Sequence, residues 1–255
     1  MIPKIIHFCW LSRDPYPELV RKCIRSWEKN MPDYEIVCWD MEKVTHLDNR
    51  YLSEAIACKK WAFASDYIRM YALYEYGGIY LDSDVYVRQS LEAISKHRVF
   101  SGIEYCVTSK TRTCNIEAAV IGAEPGHPFI HECLQYFDKR KFILGDNQYD
   151  QQIIPEIVAD IAEQRYGFKR IPIQQNLSEG IVIYSPEIIA HAYLEHRSAK
   201  KCCAVHLCEG GWYKSQVSKI ARVKSLLRRL YKSPLKTMYM LYWKFHFSNE
   251  LNDLQ

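Results

Sequence analysis

Apolar and polar positions along the chain change period several times, and the changes predict alternating strands and helices. Residues 2–10 (IPKIIHFCW) are a short apolar run of the kind that forms a central parallel strand, ending in a loop at 11–15. Over 17–30, Leu19, Val20, Cys23, Ile24 and Trp27 fall on one helical face; Pro32-Asp33 is a turn, and 34–39 reads as a second strand. Strand, helix and strand with short connections imply a right-handed parallel unit. Asp40 falls just past the second strand, where open α/β sheets place ligand contacts; a helix N-cap fits equally well. Residues 47–60 read as a helix.

Residues 61–87, WAFASDYIRMYALYEYGGIYLDSDVYV, hold the densest pattern. Trp61, Ala64, Ser65, Ile68 and Ala72 recur at helical spacing, and Asp66, Arg69 and Leu73 form a neighbouring stripe, so an acid and a base lie side by side. Gly77-Gly78 suits a helix end. The run after it alternates with a period of two, predicting one strand with Ile79, Leu81, Ser83, Val85 and Val87 on one face and Tyr80, Asp82, Asp84 and Tyr86 on the other. Two carboxylates at the end of an apolar strand repel one another and lose hydration, so a cation should compensate them. Mg²⁺ or Mn²⁺ suits such hard oxygen ligands and commonly holds a substrate diphosphate. Taken alone, D-x-D fits a solvated turn as well.

Further on, 98–104 and 117–122 read as strands, and Pro125-Gly126-His127-Pro128 breaks the chain before a helix through Phe137, with His127 as cap or turn residue. Residues 145–152 are polar and read as a loop on the acceptor side; 153–166 read as a helix and 180–184 as a strand. At 204–213, AVHLCEGGWY, His206 closes a short apolar strand before two glycines and Trp212. No G-x-G-x-x-G or Walker-type loop occurs, which excludes phosphate binding by a glycine loop.

The 255 residues allow one large domain, and 48% hydrophobic with 25% charged content is ordinary for a globular chain. The net charge of +4 conceals an asymmetry: nine of the 34 Lys and Arg, and no Asp or Glu, lie between Trp212 and Ser248. The body is slightly acidic and the tail strongly basic. Residues 214–247, a basic and aromatic amphipathic pattern, fit an interfacial helix on an anionic membrane surface; a helix packed on the body and nucleic-acid binding are the alternatives, and no nucleic acid is expected as partner. The ten cysteines are scattered without C-x-x-C, and reduced thiols in a cytoplasmic protein are expected. Zinc at Cys202, Cys203, His206 and Cys208 has no usual finger spacing. The opening MIPKIIHFCW has no basic leader and cleavage site, so no secretory signal is expected, and no apolar run reaches the roughly 18 residues of a spanning helix.

ASDYIRMYALYEYGGIYLDSDVYV resembles the sugar-binding and D-x-D region of glycosyltransferase family 32 and is similar to that of the large clostridial toxin glucosyltransferases. The resemblance implies an α/β fold of GT-A type: a Rossmann-like nucleotide-diphospho-sugar transferase with a mixed central sheet over 1–212, followed by a helical, basic segment over 213–255. It implies that Asp66, Arg69, Asp82 and Asp84 are catalytic, with Asp66 and Arg69 on the sugar hydroxyls. Asp84 and His206 would hold Mn²⁺ or Mg²⁺, and Asp82 would reach the metal through water or contact the ribose or sugar. Trp10, in I-H-x-x-W, would stack on the donor base, with Tyr80, Asn115 and Trp212 also on the donor; Gly211 stands where the family often has Ser. His7 is either packing or a hydrogen-bond partner near the nucleotide.

The implied reaction moves a hexose, with retention, from a nucleotide-sugar donor to a glycan or lipid-linked glycan acceptor. UDP-hexose comes first as donor and GDP-mannose second. The implied setting is surface polysaccharide synthesis, peripherally on the inner face of the plasma membrane. Two other classes fit parts of the pattern: a haloacid-dehalogenase-type phosphotransferase, which also carries D-x-D after an apolar strand, and a non-catalytic nucleotide-sugar or glycan-binding module.

Overall fold

The computed structural model describes residues 1–107, 112–146, 148–191 and 201–208. Strand β1 (Ile5–Cys9) is central: it pairs in parallel with β2 (Glu35–Trp39) on one side and with β3 (Gly78–Leu81) on the other. Helix α1 (Glu18–Asn30) makes the crossover from β1 to β2 and buries Val20, Cys23, Ser26 and Trp27, while Leu19 and Ile24 are half-buried. After β2, Asp40 caps the short α2 (Met41–Val44), its carboxylate accepting from Lys43 N at 3.0 Å. Asn49 caps α3 (Arg50–Ala57) in the same way, so the helix predicted over 47–60 begins only after that side chain has taken Leu52 N.

Helix α4 (Trp61–Tyr76) is buried on more than one face, at Ala64, from Asp66 through Met70, and at Ala72 and Leu73. It is enclosed by α3 and α5 (Pro128–Asp138) on one side and by β1 and β3 on the other. Its end is fixed by close approach. Gly77 and Gly78 have φ of +64° and +99°, and a Cβ on Gly78 would lie 2.6 Å from the Ile5 carbonyl oxygen. His7 fastens the same corner: Nε2 bonds Gly77 O at 2.8 Å, and Nδ1 accepts from the Trp39 indole at 3.2 Å. An acceptor at Nδ1 requires the Nε2–H tautomer, so His7 is a buried structural residue.

The run predicted as one strand over 79–87 divides in two. Val85 N donates to Asp82 O at 2.9 Å, closing a turn, and the chain continues as β4 (Val85–Val87) in a different sheet. Helix α1 holds that second half in place. The Trp27 indole donates to Val85 O at 2.8 Å, and Ser26 Oγ accepts from Val87 N at 2.9 Å.

The remaining elements are β5 (Val99–Val107), β6 (Arg112–Ala123), α6 (Ile154–Arg165), β9 (Gln175–Asn176), β10 (Ile181–Tyr184), β11 (Ile189–His191) and β12 (Ala204–His206). The predicted 145–152 loop is preceded by β7 (Ile143–Gly145), which pairs with β8 (Gln148–Tyr149) inside it as a hairpin. Among the described residues, seven strands form a mixed sheet in the order β2-β1-β3-β6-β5-β10-β9, and a second sheet runs β11-β12-β4. This is the α/β architecture with a mixed central sheet that the sequence implied.

Period-two alternation sorts the central strands: Ile6, Phe8, Ile79 and Leu81 join Cys23 and Trp27 in one core cluster, while Tyr80 on the opposite face lies beneath Arg69 of α4. Each large side chain buried in this way contributes roughly 1.5–3 kcal/mol. No described helix is long and apolar enough to cross a membrane. Gly211, Trp212 and the basic segment 213–255 lie outside the described residues.

Replacing Gly78 by Ala forces a Cβ onto a strand carbonyl at positive φ and should lower the free energy of unfolding by about 1–3 kcal/mol. Gly145→Ala, whose Cβ meets nothing closer than 3.8 Å, should leave it nearly unchanged. Urea unfolding midpoints of the two variants measure the difference.

Candidate active site

Strands β2, β1 and β3 are parallel neighbours, so Asp40, Trp10 and Asp82, each just beyond a strand end, gather along one edge of the sheet. At the ends of β1 and β2 the loop 11–16 and the start of α2 enclose a cleft of about 610 Å³, lined by Trp10, Arg13, Asp14, Tyr16, Asp40 and Glu42 among others. Trp10 packs edge-on against Tyr16, with ring centroids 5.2 Å apart, and its indole donates to Asp14 O at 2.8 Å.

Beside β3, an irregularity in β6 supplies the framework. The β5–β6 register runs from Ser101 opposite Ile121 directly to Gly102 opposite Glu117, so residues 118–120 bulge from the ladder. Ser101 Oγ ties the bulge together by donating to Glu117 O at 2.6 Å and Val120 O at 3.0 Å. The displaced carbonyls are used at once: Ala118 O accepts from Arg69 at 2.8 Å, and Ala119 O accepts from Asp82 N at 2.9 Å. The pair of alanines thus holds both the helix side and the strand side of the site.

Arg69 is 3% exposed and stands between two carboxylates, 2.9 Å from Asp82 Oδ1 and 3.4 Å from Asp66 Oδ1. Its guanidinium lies 4.6 Å above the Tyr80 ring. Burial pushes the Asp66 carboxyl up to about 7, against the pull of Arg69 and with a further push from Asp82. Burial likewise raises Asp82, opposed by Arg69 and His206 and reinforced by Asp84. With one guanidinium facing two buried acids, Asp66 keeps its proton to higher pH than an ordinary carboxyl.

The turn after β3 turns Asp84 back toward Asp82, and antiparallel pairing of β12 with β4 sets His206 opposite Val85. Asp82, Asp84 and His206 then offer two carboxylate oxygens and an imidazole nitrogen that all lie within 4.8 Å of one another. His206 Nε2 is 3.5 Å from Asp84 Oδ1, and Nδ1 is 3.1 Å from Glu117 Oε1. Burial alone would lower the basicity of the imidazole; Glu117 and Asp84 outweigh it and hold His206 well above its ordinary value. An ion held here would have to displace a proton from Nε2. Two hard oxygens and one imidazole already oriented through its other nitrogen fit a divalent ion of the Mn²⁺ or Mg²⁺ type.

The structure therefore brings Asp66, Arg69, Asp82, Asp84 and His206 together. Tyr80, grouped with the donor-contacting residues in the sequence, is 1% exposed and serves as the platform under Arg69, so it touches no solvent-filled space itself. Asn115 is also buried, its side-chain oxygen accepting from Arg170, which Asp160 and Glu163 hold in turn. His127 caps α5 by accepting from Phe129 N. The Cys202, Cys203, His206 and Cys208 group, which has no usual finger spacing, forms no metal-ligand cluster among the described residues, where His206 joins Asp82 and Asp84 instead. Glu117 escaped the sequence analysis, although a charged residue inside the apolar run NIEAAVIGA was a signal that could have found it.

Residues 17–101 match the family described as glycosyltransferase sugar-binding region containing DXD motif. Inositol phosphoceramide mannosyltransferase 2 of Schizosaccharomyces pombe is 30% identical over 143 residues, covering 54% of this chain and 39% of that protein. Mannosyl phosphorylinositol ceramide synthase CSH1 of Saccharomyces cerevisiae is 28% identical over 153 residues, covering 56% of this chain and 38% of that protein. The matches thus span about two fifths of the length of these curated relatives. Among solved structures, the PaToxG glycosyltransferase aligns at 18% identity with a TM-score of 0.45, over 64% of this chain and 69% of that chain.

A carboxyl whose value is raised on folding favours the folded state while it is protonated. The contribution from Asp66 is complete below about 4 and is lost as pH rises toward about 7. In metal-free protein, Asp66→Asn should therefore gain in melting temperature over the unmodified chain as pH rises from 4 to 8. Thermal scans across that range check it, and a gap independent of pH would refute the assignment.

Proposed function

We propose that this chain, whose residues 17–101 match a DXD-containing glycosyltransferase sugar-binding region, is a metal-dependent glycosyltransferase that moves a hexose from a nucleotide diphosphate sugar to a glycan or glycolipid hydroxyl. The observation that carries this is the convergence of Asp82, Asp84 and His206 beside the Asp66–Arg69 pair, on the sheet edge that also opens the Trp10 cleft. In the reaction the bond from the anomeric carbon to the diphosphate oxygen breaks, a bond to the acceptor oxygen forms, and the acceptor hydroxyl gives its proton to the departing diphosphate.

Asp84, His206 and Asp82 would hold the ion. When bound, Mn²⁺ or Mg²⁺ supplies Lewis-acid neutralisation of the charge that develops on the departing diphosphate. Asp66 accepts from a sugar hydroxyl, and Arg69, lying beneath, fixes Asp66 and Asp82 so that neither reorganises as the charge moves. Trp10 offers its ring to the base at the other end of the donor. Retention of configuration is what the family resemblance implies; with Asp82 engaged by Arg69 rather than free to act as nucleophile, it would follow from attack by the acceptor on the face that the diphosphate leaves. The same engagement, together with its place after the third strand of the chain, speaks against a phosphotransferase that would use Asp82 as nucleophile.

The names of the two yeast relatives describe mannosyl transfer onto inositol phosphoceramide. They support a hexosyl donor with a glycolipid acceptor, and they put nucleotide-activated mannose ahead of UDP-hexose as the donor to test first. A lipid-linked acceptor also gives the basic segment 214–247 a purpose, which is to keep the enzyme against an anionic membrane surface.

With a panel of nucleotide sugars and Mn²⁺, the unmodified chain should release nucleoside diphosphate from a hexose donor. Asp84→Ala should lower that release on the order of a hundredfold or more while its circular dichroism is unchanged; turnover by this variant at the unmodified rate would contradict the proposal. Sedimentation with vesicles containing anionic lipid should fall when residues 214–255 are removed, and equal sedimentation would end the membrane assignment.

A further inference from the structure

We infer that Glu117 is a positioning residue for the metal site, acting through His206: it dictates which imidazole nitrogen faces Asp84 and so makes His206 a ligand rather than a bystander. The inference rests on the metal site of the proposed transferase. Its basis is the position of the carboxylate. The Glu117 side chain is 2% exposed, and one oxygen, Oε1, accepts both from Ala119 N at 3.1 Å and from His206 Nδ1 at 3.1 Å. The first bond anchors that oxygen to the β6 bulge. The second transmits the anchorage to the ring.

The backbone of His206 is already fixed by its pairing with Val85, which leaves only the side-chain torsions to be set. A hydrogen bond on Nδ1 sets them and keeps a proton there, so that Nε2, 3.5 Å from Asp84, is the nitrogen left to exchange its proton for an ion. Packing does not call for a charge at this position. An apolar side chain of similar volume would fill the strand without the desolvation penalty that a buried carboxylate carries. The charge is accounted for by what it does to the ring: an anionic partner on the far nitrogen orients a ligating imidazole and makes it a stronger donor, typically a matter of 10–100-fold in metal affinity.

The test is Mn²⁺ binding to the full chain stripped of metal, followed by calorimetry or by the electron paramagnetic resonance of free Mn²⁺, with no donor or acceptor present. Four proteins are compared: the unmodified chain, Glu117→Gln, His206→Ala and the double variant. Glu117→Gln should weaken Mn²⁺ binding by about 10–100-fold in the unmodified background and by less than about twofold once His206 is already Ala. Equal losses in both backgrounds would show that Glu117 merely supports the strand, and no loss in the first would remove its role outright; either result overturns the inference. Should Glu117→Gln fail to fold, Glu117→Asp withdraws the same carboxylate by one methylene and enters the same cycle. If the unmodified chain takes up no Mn²⁺, the metal site of the proposed function fails as well, whereas binding by both the unmodified chain and Glu117→Gln with equal affinity removes only the role of Glu117.

Discussion

A guanidinium sealed from water beneath two carboxylates is the constraint on which the rest of this structure depends. Arg69 cannot give up its proton, and it is 3% exposed, so its charge has to be met inside the protein. Asp82 and Asp66 meet it from two sides, the Ala118 carbonyl from a third, and the Tyr80 ring from below. These partners come from α4, from β6, and from β3 with the turn that follows it. Removing any of them exposes a desolvated charge, which is a far larger penalty than the loss of an ordinary surface pair. The arrangement also explains the mixed character of the sheet. Antiparallel β6 must lie next to β3 for its bulge to reach the helix, and β1 must lie on the other side so that the glycine corner can close against it.

Around this cation the polar groups form two linked chains. One runs from Asp66 through Arg69 to Asp82, and the other from Glu117 through His206 to Asp84. Both start on more deeply buried groups, Asp66 with 10% of its side chain exposed and Glu117 with 2%, and end on carboxylates exposed by 25% and 17% at the mouth of the site. Preorganisation of this kind lets charge be stabilised without waiting for side chains to move. The β6 bulge is common to both chains, since Ala118 and Ala119 bind the first and Glu117 opens the second.

Much of this was legible in the sequence because local chemistry and tertiary demand agree there. The spacing of Asp66 and Arg69, the glycine pair and the apolar run before Asp82 each carry a signal that packing then confirms, and the period-two pattern read after the glycines correctly separates Ile79 and Leu81, toward α1, from Tyr80, toward α4. The division of the predicted 79–87 strand was not legible, because Val85, Tyr86 and Val87 have the same strand propensity whether they continue one sheet or begin another. Only α1 decides, through Trp27 and Ser26. The bulge was hidden for a similar reason: alanine is neutral in a ladder and out of it, and the residue that stitches it, Ser101, lies on the neighbouring strand. Tyr80 and Asn115 illustrate the opposite case. Residue type and position in the chain suggested contact with a donor, but burial under Arg69 and the bond to Arg170 show side chains engaged with the protein.

The D-x-D turn bridges two sheets, and this has a bearing on how the centre comes into being. Asp82 and Asp84 are translated early, beside strands that can pair as soon as they emerge, whereas His206 arrives on β12, which has to find β4 after a long intervening stretch. A nascent chain with its main sheet complete would still possess only two of the three ligands. Docking of a three-residue strand, with one register that presents the imidazole inward and a slipped register that turns it out, is what brings the third of these side chains to the other two. An intact second sheet is therefore a condition for completing the three-residue cluster, however well formed the main sheet is.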